Sequence, residues 1–320
     1  MPNKVPLIQA PTPLHKLPRV STDLDIDLWI KRDDLTGFAM GGNKGRKLEY
    51  QIAEVLASGA EAVVTCGALQ SNFIRQLGAA CAMYGLKCAA AVMETPFEEE
   101  APHAPGLTPQ NGNVRLNEIF GVDLRLFPND TWETLYAHAQ ALAEQYERDD
   151  YKTHVIPIGG SSPLGAYAFV EAAKELKEPF DWIVHPTSSG STQTGLSHAF
   201  RGTTTKVLGI ACDPEPEIVE DFARLSEGLT QIADLGPPIP AEEFLINLNY
   251  VGPGYGVPSE AGNKAIEYLA QKEGILLDPI YTGKAFAGLI DLAKKGELKG
   301  RICFWHTGGL PTLFATKSQS

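Results

Sequence analysis

Lys44, which closely follows Gly41 and Gly42, is the side chain in this sequence that is most clearly suited to take part in a reaction. Glycine lets the backbone approach a ligand closely. The apolar periodicity after the lysine predicts a helix, and the N-terminus of that helix would point at an anion. Desolvation and the cationic neighbours Arg46 and Lys47 would disfavour the ammonium form of Lys44, which frees its lone pair for Schiff-base chemistry. The stretch is not a P-loop, because no serine or threonine follows the lysine. On this stretch alone, a solvated turn remains the alternative.

A second stretch, residues 187–195, is rich in serine, glycine and threonine. It leaves a predicted strand at 182–186 and opens a predicted helix from about Thr192. Small residues let successive backbone amides point inward, hydroxyl groups add donors, and the helix end adds favourable potential for an anion. The pattern indicates a phosphate site, with a serine-rich helix cap as the alternative. The stretch lacks the GxGxxG fingerprint, which disfavours a nicotinamide or flavin cofactor.

Further donors lie at a helix start and in two loops. Gln70, Ser71 and Asn72 follow a predicted strand and precede a predicted helix. Ser71 is a candidate N-cap, and all three residues could present donors to a carboxylate or a ring oxygen. Tyr255 and Tyr281 each lie in a loop rich in glycine and proline, where a phenol can face a cleft. Ordinary packing remains the alternative for either tyrosine.

The elements that must position these residues alternate between strand and helix from about residue 46 onwards. Short apolar runs at 62–66 and 88–93 are predicted strands, and helical periodicity predicts helices at 47–57 and 72–84 before each of them. This alternation predicts parallel βαβ units and an α/β fold. We expect residues 1–26 and 230–258 to be irregular. The acidic stretch 95–112, with its three successive glutamates, is predicted to be a solvated loop without chemistry.

The whole chain has a globular composition, with 320 residues, 43% of them hydrophobic, a net charge of −12 and a pI near 5.1. The acidic balance argues against nucleic-acid binding, because phosphate neutralisation requires a basic face. The five cysteines form no CxxC pair and are interpreted as buried, reduced thiols, and His306 has no matching metal ligands and is interpreted as structural. The N-terminal residues and the length of the apolar runs lead us to expect neither a secretory signal nor a membrane-spanning segment. We therefore expect a cytoplasmic protein that acts on small molecules and contains no metal.

The stretches that carry the resemblance occur in one order along the chain: KRDDLTG…GGNKGRKLEY (31–50), the Gln-Ser-Asn helix start (70–72), the Ser/Gly/Thr stretch (189–195), GPGYG (252–256) and DPIYTGKA (278–285). In that combination they resemble the fold-type II pyridoxal-phosphate enzymes, in the branch of D-cysteine desulfhydrase and 1-aminocyclopropane-1-carboxylate (ACC) deaminase. The resemblance implies a two-domain α/β fold of the tryptophan synthase β type, each domain an open, mostly parallel sheet flanked by helices. Residues 1–50 and 165–320 would form the large cofactor-binding domain, and residues 51–164 the small domain.

The resemblance also implies pyridoxal 5′-phosphate as the cofactor and a role for each candidate residue. Lys44 would hold the cofactor through its amine and move the proton at the α-carbon of the substrate. Thr307 would lie near the pyridine nitrogen, as a neutral donor that favours prompt β-elimination over transamination. The residues implied to bind the phosphate are Lys47, Ser189, Gly190, Ser191 and Thr192. Asn72 would contact the ring hydroxyl, and the substrate carboxylate would be bound by Gln70, Ser71 and Asn72. Tyr281 and Tyr255 would line the substrate face, and both tyrosines and Ser71 are expected to be catalytic.

The implied reaction is α,β-elimination from a small β-substituted amino acid, with D-cysteine favoured and pyruvate, ammonia and sulfide as products. ACC deaminase, which opens a strained ring to give α-ketobutyrate, is the nearest alternative, but its members are expected to carry glutamate where this chain has Thr282. Phe73 and Ile74 are bulkier than expected in either group, which leaves the leaving group of the substrate undetermined. L-cysteate sulfo-lyase, which releases sulfite, is therefore a further alternative. A non-catalytic ligand-binding protein is the alternative from another class. A homodimer is expected from the resemblance alone.

Overall fold

The computed structural model describes residues 1–98, 100–102 and 104–316, which fold around two β-sheets. Glu99, in the predicted acidic loop, lies outside the described residues. The strands are β1 (Leu14–Lys16), β2 (Asp27–Arg32), β3 (Ala62–Ala68), β4 (Lys87–Met93), β5 (Asp123–Leu126), β6 (Thr153–Val155), β7 (Trp182–Thr187), β8 (Lys206–Ala211), β9 (Leu245–Asn247) and β10 (Arg301–His306). The helices are α1 (Pro18–Leu24), α2 (Lys44–Ser58), α3 (Asn72–Tyr84), α4 (Gly112–Phe120), α5 (Trp132–Arg148), α6 (Pro163–Ala173), α7 (Ser191–Phe200), α8 (Ile218–Ile232), α9 (Glu260–Glu273) and α10 (Thr282–Lys294).

The strand order brings distant parts of the chain together. The larger sheet has the order β1-β2-β10-β7-β8-β9, and the smaller has the order β5-β4-β3-β6. Neighbouring strands are parallel except for β1 and β2. β10, from the end of the chain, lies between β2 and β7, with Arg301 opposite Asp27. The predicted α/β fold, with two open and mostly parallel sheets flanked by helices, is confirmed.

Both sheets are covered by helices, which leaves the strand ends for a ligand. Every residue of β3 is buried. In the larger sheet, Phe304 packs with Phe286 of α10 on one face, and Trp305 packs with Phe169 of α6 on the other. Parallel strands require this arrangement, because their crossover helices pack on both faces. Within the described ranges, none of the helices has the length and apolar character needed to cross a membrane.

Two stretches predicted to be irregular contain regular elements. The prediction for residues 1–26 is wrong, because β1 and α1 lie there. Pro18 occupies the first turn of α1, where its missing N–H costs no hydrogen bond, and Asp25 ends the helix in the left-handed conformation. In residues 230–258, α8 extends to Ile232 and β9 adds an edge strand. β1, α1 and β9 are too short for periodicity to reveal them.

The acidic stretch 95–112 is only partly the solvated loop that was predicted. Glu98 and Glu100 are exposed. However, the backbone N–H of Thr108 donates to the carbonyl of Ala315 at 2.8 Å, and a Cβ added to Gly254 would lie 3.2 Å from Pro102. The stretch therefore packs against the tyrosine-bearing loop 252–258 and against the chain at Ala315.

The two sheets draw their strands from separate parts of the chain. The larger sheet takes strands from residues 14–32 and 182–306, and the smaller from residues 62–155. Helix α2 runs across the domain limit predicted at residue 50 and contacts both α3 and α6. The predicted division into 1–50 with 165–320 and 51–164 is compatible with this arrangement, but its limits stay a prediction.

Candidate active site

A cavity of about 990 Å³ opens between the two sheets, at the carboxyl ends of their strands. The smaller sheet contributes the end of β3, and the larger sheet contributes the ends of β7 and β10 and residues that follow β8. Strand ends of this kind are where open α/β sheets bind ligands. All predicted site residues except Gln70 and Ser191 line the cavity: Lys44, Lys47, Ser71, Asn72, Ser189, Gly190, Thr192, Tyr255, Tyr281 and Thr307.

Lys44 is the first residue of α2. The preceding Gly41 and Gly42 have φ values of 75° and 119°, which an L side chain rarely adopts. The backbone N–H of Asn43 donates to the carbonyl of Thr307 at 2.9 Å and so fixes this loop against the end of β10. Burial lowers the pKa of Lys44 to about 8, although the neighbouring Lys47 amine acts in the opposite direction. A considerable fraction of the amine is therefore neutral in mildly alkaline solution.

Arg46 does not influence Lys44 as expected from the sequence. Its guanidinium donates to both carboxylate oxygens of Asp33 at 2.8 Å, and to Glu175 at 2.7 and 3.0 Å. The amine of Lys31 also pairs with Glu175. This buried ion cluster (Lys31, Asp33, Arg46 and Glu175) joins the start of α2 to the end of β2 and to the residues after α6. The expectation that Arg46 and Lys47 lower the pKa of Lys44 is wrong. The charge of Arg46 is balanced by Asp33 and Glu175, Lys47 raises the pKa of Lys44, and burial is the main cause of the decrease.

Residues 188–192, here named the loop 188–192, run from the end of β7 into the first turn of α7 and form the opposite wall of the cavity. Gly190 has a φ of 97°, and a Cβ added to it would lie 2.5 Å from Phe222. Only glycine fits that position without rearrangement. The amide of Asn43 donates to the hydroxyl of Thr192 at 3.1 Å, which links the lysine loop to the start of α7. This helix start provides N–H groups and favourable potential for an anion.

The lysine and the loop 188–192 meet at Gly159. The position of a Cβ added to Gly159 is 3.8 Å from the Nζ of Lys44 and 2.6 Å from the Oγ of Ser189. The amine of Lys47 donates to the carbonyl of Gly159 at 3.1 Å. Two amines and a hydroxyl thus converge on one turn, as a ligand with a carbonyl at one end and an anion at the other requires.

Ser191 lies outside the cavity lining. Its hydroxyl is 3.0 Å from the hydroxyl of Ser161 and accepts from the backbone N–H of Ser162 at 3.3 Å, and its own backbone N–H donates to Ser161 at 3.2 Å. These bonds fasten the turn 158–162 to the start of α7. Phosphate binding by Ser191 stays a prediction. Ser161 lines the cavity and was not predicted, although the preceding Gly-Gly pair marked a turn there.

Ser71 caps α3, as its position in the sequence predicted. Its Oγ accepts from the backbone N–H groups of Phe73 and Ile74 at 3.2 and 3.3 Å. The side-chain oxygen of Asn72 accepts from Arg75 at 2.8 Å, which orients the amide so that its NH₂ group is available for a ligand. The start of α3 therefore faces the cavity with a hydroxyl, an amide and the positive end of a helix dipole.

Gln70 lines a small neighbouring cavity instead of the large one. Its side-chain NH₂ donates to the carbonyl of Thr108 at 2.9 Å, and its oxygen accepts from the backbone N–H of Asn113 at 2.9 Å. The side chain thus holds the end of the acidic stretch against α3. Its contact with a substrate carboxylate stays a prediction.

Tyr255 and Tyr281 face each other across one side of the cavity. Their hydroxyl oxygens are 2.7 Å apart, and their ring centroids are 6.3 Å apart at an interplanar angle of 67°. Burial raises the pKa of both phenols, and the charge of Asp213 raises each further. Both groups therefore stay protonated over the physiological range and can donate hydrogen bonds.

Thr307 lines the cavity, whereas the remaining residues singled out in the sequence have structural roles. Thr282 is buried and its hydroxyl donates to the carboxylate of Asp278 at 2.6 Å, so this hydroxyl is not available to a ligand in the cavity. A ring nitrogen of His306 lies 2.9 Å from the carbonyl of Leu276, which confirms the structural interpretation of this residue. The five cysteines are buried and unpaired, as predicted.

The two carboxylates of the cavity lining that are fully or partly buried were not predicted from the sequence. Asp213 and Glu215 follow β8 and line the same cavity. Burial raises the pKa of Asp213 to about 6 and that of Glu215 to about 7, where the charge of Asp213 adds to the effect. The signal that could have identified them is their position, since the carboxyl ends of parallel strands meet at one edge of a sheet.

This fold and this site define the class of protein: the chain belongs to the family of pyridoxal-phosphate dependent enzymes, whose family model matches residues 5–308. Among individual proteins, the D-cysteine desulfhydrases of Salmonella choleraesuis (strain SC-B67) and Salmonella newport (strain SL254) are each 40% identical to it, over 98% of this chain and 95% of the relative. The crystal structure of an ACC deaminase homologue is 35% identical, with a TM-score of 0.86 over 98% of this chain and 93% of that one. A fungal L-serine ammonia-lyase from Rhizomucor miehei, 16% identical with a TM-score of 0.65 over 95% and 94%, shares the fold. The resemblance inferred from the motifs is confirmed.

The residues of the cavity fit pyridoxal phosphate. An amine with a lowered pKa suits the aldehyde, and the start of α7 with the glycine at position 190 suits the phosphate. The amide of Asn72 and the hydroxyl of Thr307 line the space between the lysine and the tyrosines, where they could contact the ring.

Proposed function

We propose that this protein is a D-cysteine desulfhydrase, a pyridoxal-phosphate-dependent lyase that converts D-cysteine to pyruvate, ammonia and sulfide. The proposal rests on the proximity of Lys44 and Ser189. A Cβ added to Gly159 would lie 3.8 Å from the Nζ of Lys44 and 2.6 Å from the Oγ of Ser189. This proximity supports a covalent attachment point and a phosphate site in one cavity. The 40% identity to D-cysteine desulfhydrases supports the choice of substrate.

Different residues of the chain would bind different parts of the cofactor. When bound, the cofactor supplies an electron sink for the α-carbon of the substrate. Ser189, Gly190 and Thr192 bind its phosphate at the start of α7, while Lys47 adds a donor. Ser191 contributes by fixing the neighbouring turn. Asn72 donates to the ring hydroxyl and Thr307 to the ring nitrogen.

The substrate would lie between α3 and the tyrosine pair. Ser71 and Asn72 receive its carboxylate at the positive end of the α3 dipole, and Gln70 supports them by ordering the adjoining loop. The amine of Lys44 removes the α-proton. The phenol of Tyr281, oriented by Tyr255, stays protonated and holds a proton at the departing sulfur.

The structural similarity to an ACC deaminase homologue supports a second candidate, ACC deaminase. The contacts of Thr282 favour the desulfhydrase. Its hydroxyl is bonded to Asp278, so position 282 offers the cavity neither a carboxylate nor a free hydroxyl. The ring-opening reaction would then lack an acid that the resemblance leads us to expect at that position.

The proposal is tested with one purified holoenzyme sample and five substrates: D-cysteine, L-cysteine, L-cysteate, β-chloro-D-alanine and ACC. We expect pyruvate and sulfide in equal amounts from D-cysteine, and pyruvate from β-chloro-D-alanine. Turnover of ACC to α-ketobutyrate without sulfide release from D-cysteine would identify the deaminase, and sulfite release would identify the sulfo-lyase. A colourless protein that retains no pyridoxal phosphate would contradict every lyase reading and favour a ligand-binding protein.

We further propose that the enzyme works in the cytoplasm as a homodimer. The family resemblance supports the dimer, and the five buried, unpaired cysteines support a reducing compartment. Sedimentation equilibrium tests the assembly, with twice the chain mass of 34.6 kDa as the expected result.

A further inference from the structure

Asp213 is a buried carboxylate that the proposed reaction of D-cysteine does not use. It lies just beyond β8, whose last residue, Ala211, is opposite Thr187 at the end of β7. Its side chain lines the large cavity, the residue is 4% exposed, and its Oδ1 has no hydrogen-bond partner within the described part of the chain. An unsatisfied buried carboxylate oxygen is costly, and such groups commonly complete their bonding with a ligand.

The surroundings of Asp213 favour a cation as that ligand. Burial raises the pKa of its carboxyl, and a hydrogen bond with Ser188 and the charge of Lys284 oppose this effect only in part. The amine of Lys284 is itself bonded to the carbonyl of Gly254 at 3.0 Å. Among the described residues, the cations that line the cavity are Lys44 and Lys47, which the proposed function assigns to the cofactor, and Arg224, which pairs with Asp221 at the rim.

The carboxylates of the cavity continue from Asp213 towards its rim. Glu215, which is partly buried, lies next to Asp213 and its pKa is also raised. The acidic rim residues are Glu98, Glu133, Glu217, Glu220 and Asp221. Asp213 lies between the loop 188–192, whose Ser188 side chain it contacts, and the tyrosine pair, because its charge also reaches Tyr255 and Tyr281.

We propose that Asp213 binds a second ammonium group on the substrate, so that this site accepts amino acids with a cationic β-substituent, of which 2,3-diaminopropionate is the smallest. The inference rests on the proposed elimination chemistry and extends its substrate class. Lys44 takes the α-proton, the bond from the β-carbon to nitrogen breaks, and the electron pair of that bond leaves with the nitrogen as ammonia. The resulting 2-aminoacrylate takes up water and releases pyruvate and the second ammonia. Asp213 favours this step because it keeps the leaving nitrogen protonated until the bond breaks.

The test compares a charged and a neutral β-substituent in the same holoenzyme. Pyruvate release is measured from both enantiomers of 2,3-diaminopropionate and from β-chloro-D-alanine, in the wild type and in Asp213→Asn. We expect two ammonia per pyruvate from one enantiomer, and at least a tenfold fall in the ratio of its kcat/KM to that of β-chloro-D-alanine in the variant. Asp213→Glu, which keeps the charge, should recover most of that ratio. Glu217→Gln, which removes an equal charge at an exposed position of the rim, should change it less than twofold.

A binding measurement separates recognition from turnover. Calorimetry of the wild-type holoenzyme should show 2,4-diaminobutyrate binding about tenfold more tightly than 2-aminobutyrate, and Asp213→Asn should remove the difference. Absence of diaminopropionate turnover, an unchanged ratio in Asp213→Asn, or an equal loss in Glu217→Gln would each overturn the assignment. Sulfide release from D-cysteine is measured in the same samples. Sulfide without diaminopropionate turnover refutes only this inference, whereas the reverse result refutes only the desulfhydrase.

Discussion

At the scale of single residues, the site depends on how burial tunes two neighbouring amines. Lys44 and Lys47 line one cavity, and burial is the main cause of the lowered pKa of each. The charge of Lys44 lowers the pKa of Lys47 further. Two ammonium groups this close repel each other, so the pair favours a state with at least one neutral amine. A neutral amine is the form that can attack an aldehyde.

The rate at which apoenzyme captures pyridoxal phosphate should therefore rise with pH and level off above about 8, the pKa of Lys44. Below that pH the amine carries a proton and lacks a free lone pair. Stopped-flow absorbance of the yellow bound cofactor, recorded at a series of pH values, measures the profile. Lys44→Ala should show no such absorbance at any pH, while Lys264→Ala, at an exposed position, should match the wild type. A midpoint near the ordinary lysine value of 10.5 would contradict the effect of burial.

At the scale of elements, the buried ion cluster positions α2 and with it Lys44. The guanidinium of Arg46 binds Asp33 and Glu175 through four hydrogen bonds, and the indole N–H of Trp305 in β10 donates to Asp33 at 2.8 Å. The cluster thus connects α2 to β10 as well as to β2. A buried ion pair is rarely more stabilising than an apolar substitute. We therefore infer that the cluster acts mainly by holding α2 in a single position.

Replacing Arg46 by Met should lower the free energy of unfolding by about 3–5 kcal/mol, because Asp33 is left as an uncompensated buried charge. Urea denaturation at pH 7 measures the loss. Arg115→Met, which removes an exposed ion pair with Glu118, should cost less than about 1 kcal/mol.

The loss from Arg46→Met should also depend on pH. Burial raises the pKa of Asp33, but the charge and hydrogen bonds of Arg46 outweigh that effect, and the net pKa is lowered from 3.8. Because the folded pKa is depressed, the stabilisation is present above 3.8 and is lost as the pH falls through the folded value. The difference between the wild type and the variant should therefore shrink in acid. A difference that is constant from pH 7 to pH 3 would contradict this role.

Gly190→Ala should weaken cofactor binding more than it weakens the fold. The new Cβ would lie 2.5 Å from Phe222 and displace the start of α7, where the phosphate is proposed to bind. Gly85→Ala is the matched control: its φ is 69°, but no atom lies within 4 Å of an added Cβ. Both variants lose roughly 1–2 kcal/mol from the left-handed conformation. Only Gly190→Ala should release pyridoxal phosphate on dialysis, and equal retention by both would contradict the assignment of this loop.

Local signals explain which elements could be predicted from the sequence. The bounds of α3 were predicted correctly, because Ser71 is a strong N-cap and Gly85 ends the helix in the left-handed conformation. The start of α2 was placed too late at Lys47, since the turn before it is set by contacts with Thr307, far along the chain. Asp213 was missed for the same reason: its importance depends on β8 lying beside β7, and strand order is not encoded locally.

At the scale of the whole molecule, the cavity depends on both sheets. α3 and the end of β3 contribute from the smaller sheet, and the loop 188–192 and the end of β10 contribute from the larger. A ligand in the cavity therefore contacts parts of the fold that the chain connects only through α2 and the segment before α6. Binding of the cofactor should act on the stability of the complete fold.

Removal of pyridoxal phosphate should lower the thermal unfolding midpoint of the protein. A ligand at 1,000 times its dissociation constant stabilises the native state by about 4 kcal/mol. Scanning calorimetry of holoenzyme and apoenzyme measures the shift. Inorganic phosphate should restore part of it in wild-type apoenzyme and none in Gly190→Ala. Restoration in both proteins would show that phosphate acts elsewhere.

The place of β10 between β2 and β7 has a consequence for biosynthesis. The four strands of the smaller sheet come from one continuous stretch, residues 62–155, and can pair as soon as that stretch has left the ribosome. The larger sheet must wait until residues 301–306 have been made, so its β2 edge stays without its central neighbour during almost all of translation. A nascent chain arrested before residue 300 should resist proteolysis across the smaller sheet alone, and the ability to retain cofactor should arise only with the final segment.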